Sequence, residues 1–265
     1  MEGVWIFPVL GVLAGILAGL LGIGGGLVLV AALAWILPLH GIPKEAAMHA
    51  ALASSLASIV LTATSSAYSH HRRGSVLWPT VAWMVPGLLL GGWLGSGLAV
   101  YLDDDVLRWI VATYCFIAGA QMAFGGNAHP EGRGVPAPRG PVMSVAGSVI
   151  GAVSAVVGIG GGSMTVPLLV ARGVQPVRAV GTSSACGVAI GIASAFGYAL
   201  HAPPGALPSH AIGYIYLPAA IGVAIASVLA APYGTRLAHR IGGKALKRVF
   251  AIFMVVMGIA IVASG

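Results

Sequence analysis

Two glycine runs supply most of the chemistry this sequence can offer. Gly19-Leu20-Leu21-Gly22-Ile23-Gly24-Gly25-Gly26 recurs 136 positions later as Ala155-Val156-Val157-Gly158-Ile159-Gly160-Gly161-Gly162. Each run interrupts an apolar stretch, and consecutive glycines break a helix. The segment after each run then begins a half-helix whose first N–H groups lack an intrahelical acceptor and whose positive end points into the protein. Such an end binds anions. The candidate backbone groups are Gly24, Gly25 and Gly26 in the first run and Gly160, Gly161 and Gly162 in the second.

Hydroxyls stand at matched places nearby. Ser54 and Ser55 correspond to Thr182 and Ser183, and Ser163 opens the segment after the second run, where the first has Leu27. A hydroxyl donates to an oxyanion without adding charge. It can also bond to the preceding turn or to a neighbouring helix. Ser65, Ser66 and Ser194 come later in the same segments and either line a path or pack.

Other chemistries find little support. No Lys-Ser/Thr follows either run and no acidic ribose partner lies about 20 residues on, so neither is a nucleotide cradle. No hydrolytic set joins a serine to a buried histidine and carboxylate. Cys115 and Cys186 lie in apolar segments without metal-ligand spacing. We therefore expect no metal, no cofactor and no enzymatic activity. The rival enzymatic reading would rest on Cys186 alone. No Lys, Arg, Asp or Glu falls in the middle of an apolar segment, whereas a buried charge would mark a proton relay or a cation site. His49, His70 and His71 are read as interfacial. Asp103, Asp104 and Asp105 are read as helix-capping and outside-facing.

The elements that must position these groups are membrane helices. The chain of 265 residues is 58% hydrophobic and 7% charged, against roughly 25% charged in soluble domains. In this setting the net charge of +7 orients a membrane protein rather than binding nucleic acid. Met1-Glu2-Gly3 lacks the basic start of a signal peptide, so the first apolar segment is read as retained. Five segments fall in the first half, at about 5–21, 27–37, 46–69, 76–101 and 106–124. Five follow a Gly/Pro-containing linker, at about 142–157, 163–170, 177–200, 211–231 and 245–263. A span needs about 20 apolar residues, and the segments after the glycine runs are too short to cross. The spacing predicts an all-α polytopic membrane protein of two repeats, residues 1–124 and 142–265, joined by a linker at 125–141. Each repeat is a re-entrant or broken helical hairpin plus three transmembrane helices. Small-xxx-small faces, such as Gly11/Gly15/Gly19 and Gly87/Gly91/Gly95, predict close helix packing.

An odd number of crossings per repeat inverts the second repeat. With Arg72 and Arg73 in the cytoplasm, inversion also places Arg133, Arg139, Arg172, Arg178, Arg236, Arg240, Lys244, Lys247 and Arg248 there. Lys44 and Arg108 stay outside with Glu2, Glu45 and Asp103–Asp105. The positive-inside rule favours this arrangement, with both termini extracytoplasmic.

Four stretches together resemble the sulfite exporter TauE/SafE family, also called the 4-toluene sulfonate uptake permease family. They are GLLGIGGGLVLV at 19–30, SSLASIVLTATSSAYSHHRRGSV at 54–76, VVGIGGGSMTVPLL at 156–169 and AVGTSSA at 179–185. Ala31 stands where the first repeat often has proline, which Pro167 keeps in the second, and Ser54 stands where threonine is usual. The resemblance implies transport of a small sulfur oxyanion or organosulfonate, such as sulfite, thiosulfate or sulfoacetate, across the bacterial inner membrane. It leaves substrate and direction open, and a passive anion channel on the same fold remains a rival reading. The expected partners are that anion and membrane lipid, with no nucleic acid.

Overall fold

Glycine and proline set the ends of the helices. The computed structural model describes residues 5–22, 25–124, 137–208, 210–241 and 243–263. Among them are ten α-helices and one two-stranded hairpin. In the first half these are α1 (Ile6–Leu21), α2 (Gly26–Ile36), α3 (Ala47–His71), α4 (Trp78–Val100) and α5 (Asp104–Phe124). In the second they are α6 (Pro141–Val157), α7 (Gly162–Ala171), α8 (Pro176–His201), α9 (Leu217–Arg240) and α10 (Gly243–Val262). Proline occupies the opening positions of α4, α6, α8 and α9, where its missing N–H costs nothing.

Four helices are long and apolar enough to cross a membrane: α3 with its preceding turn (Lys44–His71), α4, α8 and α9. α3 and α8 are the central pair, since 78% of the apolar window of each is buried against 44% in α4 and α9. Leu90, Leu94 and Leu98 of α4 and Ile221, Ile225 and Leu229 of α9 are exposed, as lipid-facing side chains should be. α5 and α10, of 21 and 20 residues, pack on each other outside this pair. The protein is an all-α polytopic membrane protein.

Packing partners exchange between the halves. α1 lies along α9 as α6 lies along α4, and α3 meets α9 as α8 meets α4. Small residues make the first of these contacts close. A Cβ on Gly11, Gly15 or Gly19 would strike backbone of Val223, Ser227 or Ala231 on α9. A Cβ on Gly87, Gly91 or Gly95 would strike backbone of Ser144, Ser148 or Ala152 on α6. The glycine stripes read as packing faces are packing faces.

One segment departs from the expected boundaries. The apolar stretch at 211–231 was expected as a single helix. Ala211–Ile212 and Ile215–Tyr216 instead form the hairpin strands β1 and β2, turned by Gly213 at φ 57°. The helix then runs past the apolar stretch to Arg240, because Arg236 and Arg240 sit on exposed turns that cost nothing to extend.

Candidate functional site

Each glycine run breaks its helix in the same way. α1 ends at Gly22 with φ 71° and α2 starts after Gly25 with φ 73°. α6 ends at Gly158 with φ 76° and α7 starts after Gly161 with φ 74°. Left-handed backbone at all four positions is the conformation that glycine adopts at no steric cost. Neither Gly25 nor Gly161, the residues that precede α2 and α7, has a side-chain cap. Gly24 lies outside the described residues.

The two breaks touch. A Cβ on Gly26 would collide with the carbonyl oxygen of Gly158 and approach the Cα of Ile159. Ser55 sits over this contact, fully buried, its hydroxyl 3.1 Å from the Gly26 carbonyl and 3.2 Å from that of Gly158. Ser183 reaches the other way and donates to the Gly22 carbonyl at 3.0 Å. Gly160 packs its carbonyl against Gly187 of α8, and a Cβ on Gly161 would meet the Ile190 side chain. Gly162 is buried at the first position of α7.

The outer members of the hydroxyl pairs have a different task. Ser54 accepts the N–H of Tyr216 at 2.9 Å, and Thr182 accepts that of Leu77 at 3.0 Å. Tyr216 and Leu77 are the residues that precede α9 and α4. Each hydroxyl therefore satisfies an N–H at the entrance of a neighbouring helix, while Thr182 also donates to Arg178 in its own helix at 2.7 Å. The structure thus brings Gly26, Ser55 and the second break together, sets Ser183 on the first break, and places Ser54 and Thr182 at helix entrances.

Ser163, in the first turn of α7, meets the hydroxyl of Tyr114 from α5 at 2.5 Å. Sequence reasoning missed Tyr114. It also missed Ser154 and Thr165, both fully buried on α6 and α7. Their signal was available: each matches an apolar residue in the first half, Ala18 for Ser154 and Leu29 for Thr165.

The histidines and aspartates correct the sequence reading. His71 is exposed as expected of an interfacial group, but His49 and His70 are buried. His70 Nε2 lies 3.0 Å from the Gly19 carbonyl. Asp104 does not simply face outward. It is buried and accepts the N–H groups of Met48 at 2.7 Å and His49 at 3.3 Å, so it caps α3 from the start of α5. The His49 ring nitrogen Nδ1 lies 2.7 Å from the same carboxylate, and the ring stacks on Tyr214 with centroids 4.8 Å apart. Burial and the Asp104 charge raise the Tyr214 phenol above its usual range. A cleft of about 770 Å³ opens here, lined by Glu45, Asp103, Asp104 and Asp105 and by the cations Lys44 and Arg108, the latter paired with Asp105. Carboxylates outnumber cations in this lining, which disfavours an anion, so the breaks and not this cleft are the anion candidates. Cys186 is buried with its thiol 4.0 Å from the Met84 sulfur. Among the described residues no group of three or more His, Cys, Asp or Glu is placed to hold a metal ion.

Comparison with known proteins gives a consistent picture. The family model described as Sulfite exporter TauE/SafE matches residues 7–261. A "Probable membrane transporter protein" of Haemophilus influenzae is 35% identical over 251 residues, covering 94% of each chain. A probable membrane transporter protein of Methanocaldococcus jannaschii is 23% identical over 252 residues, covering 95% of this chain and 92% of its own. No solved structure matches the chain with significance. The chain belongs to the sulfite exporter TauE/SafE family and is a membrane transporter of that type.

Proposed function

We propose, taking membership of this family as the premise, that the protein exports a small sulfur-containing anion across the bacterial inner membrane. Sulfite or a small organosulfonate such as sulfoacetate is the cargo. The observation that carries the reading is the contact of Gly26 with Gly158. It joins the start of one half-helix, α2, to the end of α6, where the opposite break begins, in a buried locus built from backbone and hydroxyls. The N-terminal ends of the half-helices contribute partial positive charge, and hydroxyls complete the shell. Such a site holds an anion moderately, as a transporter must, since the cargo has to leave again.

The halves at 1–124 and 142–265 are read as inverted repeats, joined by a cytoplasmic linker at 125–141. The distribution of basic residues supports this, as does the exchange of packing partners between α1–α9 and α4–α6. α5 and α10 supply the third crossing of each repeat. Rocking of one repeat against the other would expose the breaks to each side in turn. Export needs no coupling ion, because expelling an anion from a negative-inside cell is favoured by about 2.3 kcal/mol per charge per 100 mV. The reading is of a transporter and not an enzyme, as Cys186 is enclosed by packing.

Proteoliposomes loaded with sulfite test this. Efflux should saturate with sulfite and follow an imposed membrane potential without a pH gradient. Flux that ignores the potential and requires a proton gradient would instead indicate uptake, of thiosulfate or an organosulfonate. Flux that never saturates would indicate a passive channel.

A further inference from the structure

The two breaks share a backbone geometry but not a chemical lining. Ser154 on α6 takes the place of Ala18 on α1. Ser163 and Thr165 on α7 take the places of Leu27 and Leu29 on α2, and Tyr114 on α5 that of Phe253 on α10. In each pair the polar member belongs to the second break. Ser154 Oγ lies 3.3 Å from the position a Cβ on Gly161 would take. Thr165 stands one turn into α7, with its N–H bonded to the Gly161 carbonyl at 2.8 Å. The Tyr114–Ser163 contact of 2.5 Å adds a hydroxyl pair at the first turn of α7. One of those two hydroxyls donates to the other, which leaves the acceptor's own proton to offer elsewhere.

The hydroxyls of Ser154 and Thr165 are fully buried and have no hydrogen-bond partner. A serine or threonine in an apolar helix ordinarily returns its proton to the preceding turn. Thr62, Thr64, Ser184 and Thr235 do so here. Leaving a buried hydroxyl unpaired costs stability, and here two such donors flank the start of a ten-residue helix. The N–H groups of Met164 and Thr165 bond back to the Gly161 carbonyl, which leaves those of Gly162 and Ser163 without an intrahelical acceptor. Donors gathered without acceptors are complementary to an oxyanion.

We propose that the second break alone is the binding site, and that it takes a singly charged oxyanion. Ser154, Thr165 and the Tyr114–Ser163 pair donate to its oxygens, with the start of α7 behind them. This rests on the anion-transport reading above and narrows it to one break. The limit to one charge follows from the lining. α6 and α7 contain no lysine or arginine, and a helix end supplies only about half a unit charge. The cost of desolvating an ion grows with the square of its charge, so a dianion would gain too little here to offset it.

The test uses the full-length protein in lipid nanodiscs, with sulfite and sulfate as probes in titration calorimetry, at mildly acidic pH where hydrogensulfite prevails. The Tm of the anion-free protein is read on the same samples. Wild type should bind sulfite, and sulfate at least about tenfold more weakly. Ser154→Ala, Thr165→Val and Tyr114→Phe should each weaken sulfite binding about tenfold or more. Ser154→Ala and Thr165→Val should do so while Tm holds or rises, because each removes a hydroxyl with no partner. Thr64→Val, which removes an exposed hydroxyl, should bind as wild type does. Tm falling in Ser154→Ala and Thr165→Val with affinity intact would overturn the assignment to the second break, leaving anion transport standing. Equal binding of sulfate and sulfite would overturn the single-charge limit. A wild-type protein that binds neither probe would overturn the anion reading itself.

Discussion

The hydroxyl of Ser55 lies 3.2 Å from the carbonyl oxygen of Gly158, in the opposite half of the chain, and Ser183 answers it by donating to Gly22 at 3.0 Å. Both carbonyls close a helix, where backbone acceptors lack an intrahelical partner. Each half thus satisfies the broken end of the other. The hydroxyl clusters that look like ligand donors in the sequence also serve as ties between the halves.

Ser55→Ala and Ser183→Ala should therefore lose stability with little change in overall structure. Hydrogen bonds between membrane helices are worth about 0.6 kcal/mol on average and up to about 1.7. Each variant should fall in that range. The double variant should lose their sum, since the two bonds share no atom. Unfolding in mixed micelles measures this, and a double variant no weaker than either single one would mean that the two ties do not act independently.

The glycines at the two breaks should respond differently to alanine. Gly25 and Gly161 have φ of 73° and 74°, and an L-residue there costs about 1–2 kcal/mol. A Cβ on Gly25 would also collide with the backbone of Ala14, whereas the atoms nearest one on Gly161 belong to side chains: the terminal methyl of Ile190, Ile150 and the hydroxyl of Ser154. Ile190→Val removes that methyl, so it should partly rescue Gly161→Ala in Tm and in transport. No side-chain change should rescue Gly25→Ala. Gly25→Leu and Gly161→Leu should insert into the membrane and fail to transport. Near-wild-type transport in both leucine variants would refute the breaks as the site.

Nearly all the helices were legible from the sequence, for a simple reason. Apolar runs long enough for a bilayer have few alternatives, and GIGGG can do little except break a helix. The hairpin at Ala211–Tyr216 was not legible, because its composition is as apolar as the helix that follows and only Gly213 marks the turn. The breaks were legible as backbone, and the side chains that meet them were not. Ser54 and Ser55 are adjacent and look equivalent, yet one faces the entrance of α9 and the other the second break. Tyr114 could not be linked to Ser163 without the packing of α5 near α7. The departures from symmetry at Ser154 and Thr165 were visible in the duplicated sequence. They carried no meaning until burial showed that both hydroxyls lack a partner.

Asp104 should matter far more than its two neighbours. It accepts three hydrogen-bonding groups from Met48 and His49 at the start of α3. Asp104→Ala leaves those donors buried and unpaired, at a cost of about 2–3 kcal/mol. Asp104→Asn keeps one acceptor oxygen and should lose less. Asp103 is exposed, and Asp103→Asn should stay within about 0.5 kcal/mol of wild type. Thermal unfolding of the three variants ranks them, and equal effects at 103 and 104 would contradict the capping role.

Topology is the prediction with the widest reach. Inversion places residues 70–74, 127–140, 172–178 and 236–248 in the cytoplasm and leaves both termini outside. The basic residues at stake are at the ends of helices: Arg72 and Arg73 after α3, Arg172 after α7, and Arg236 and Arg240 in the last turns of α9. Each cationic side chain left on the outer face opposes the positive-inside bias. A parallel arrangement would put most of the second-half basic residues on that face. Reporter fusions at Gly134 and after Gly265 should therefore report opposite sides of the membrane. Moving arginines should move the reporters only if charge sets the orientation. Replacing Arg236 and Arg240 by glutamine, with two lysines added beside Lys44, should produce a mixed population. If both fusions report the same side in the unmodified protein, the halves are not inverted. The glycine breaks would then no longer be related by a two-fold axis in the membrane plane, and rocking of one repeat against the other would lose its geometric basis.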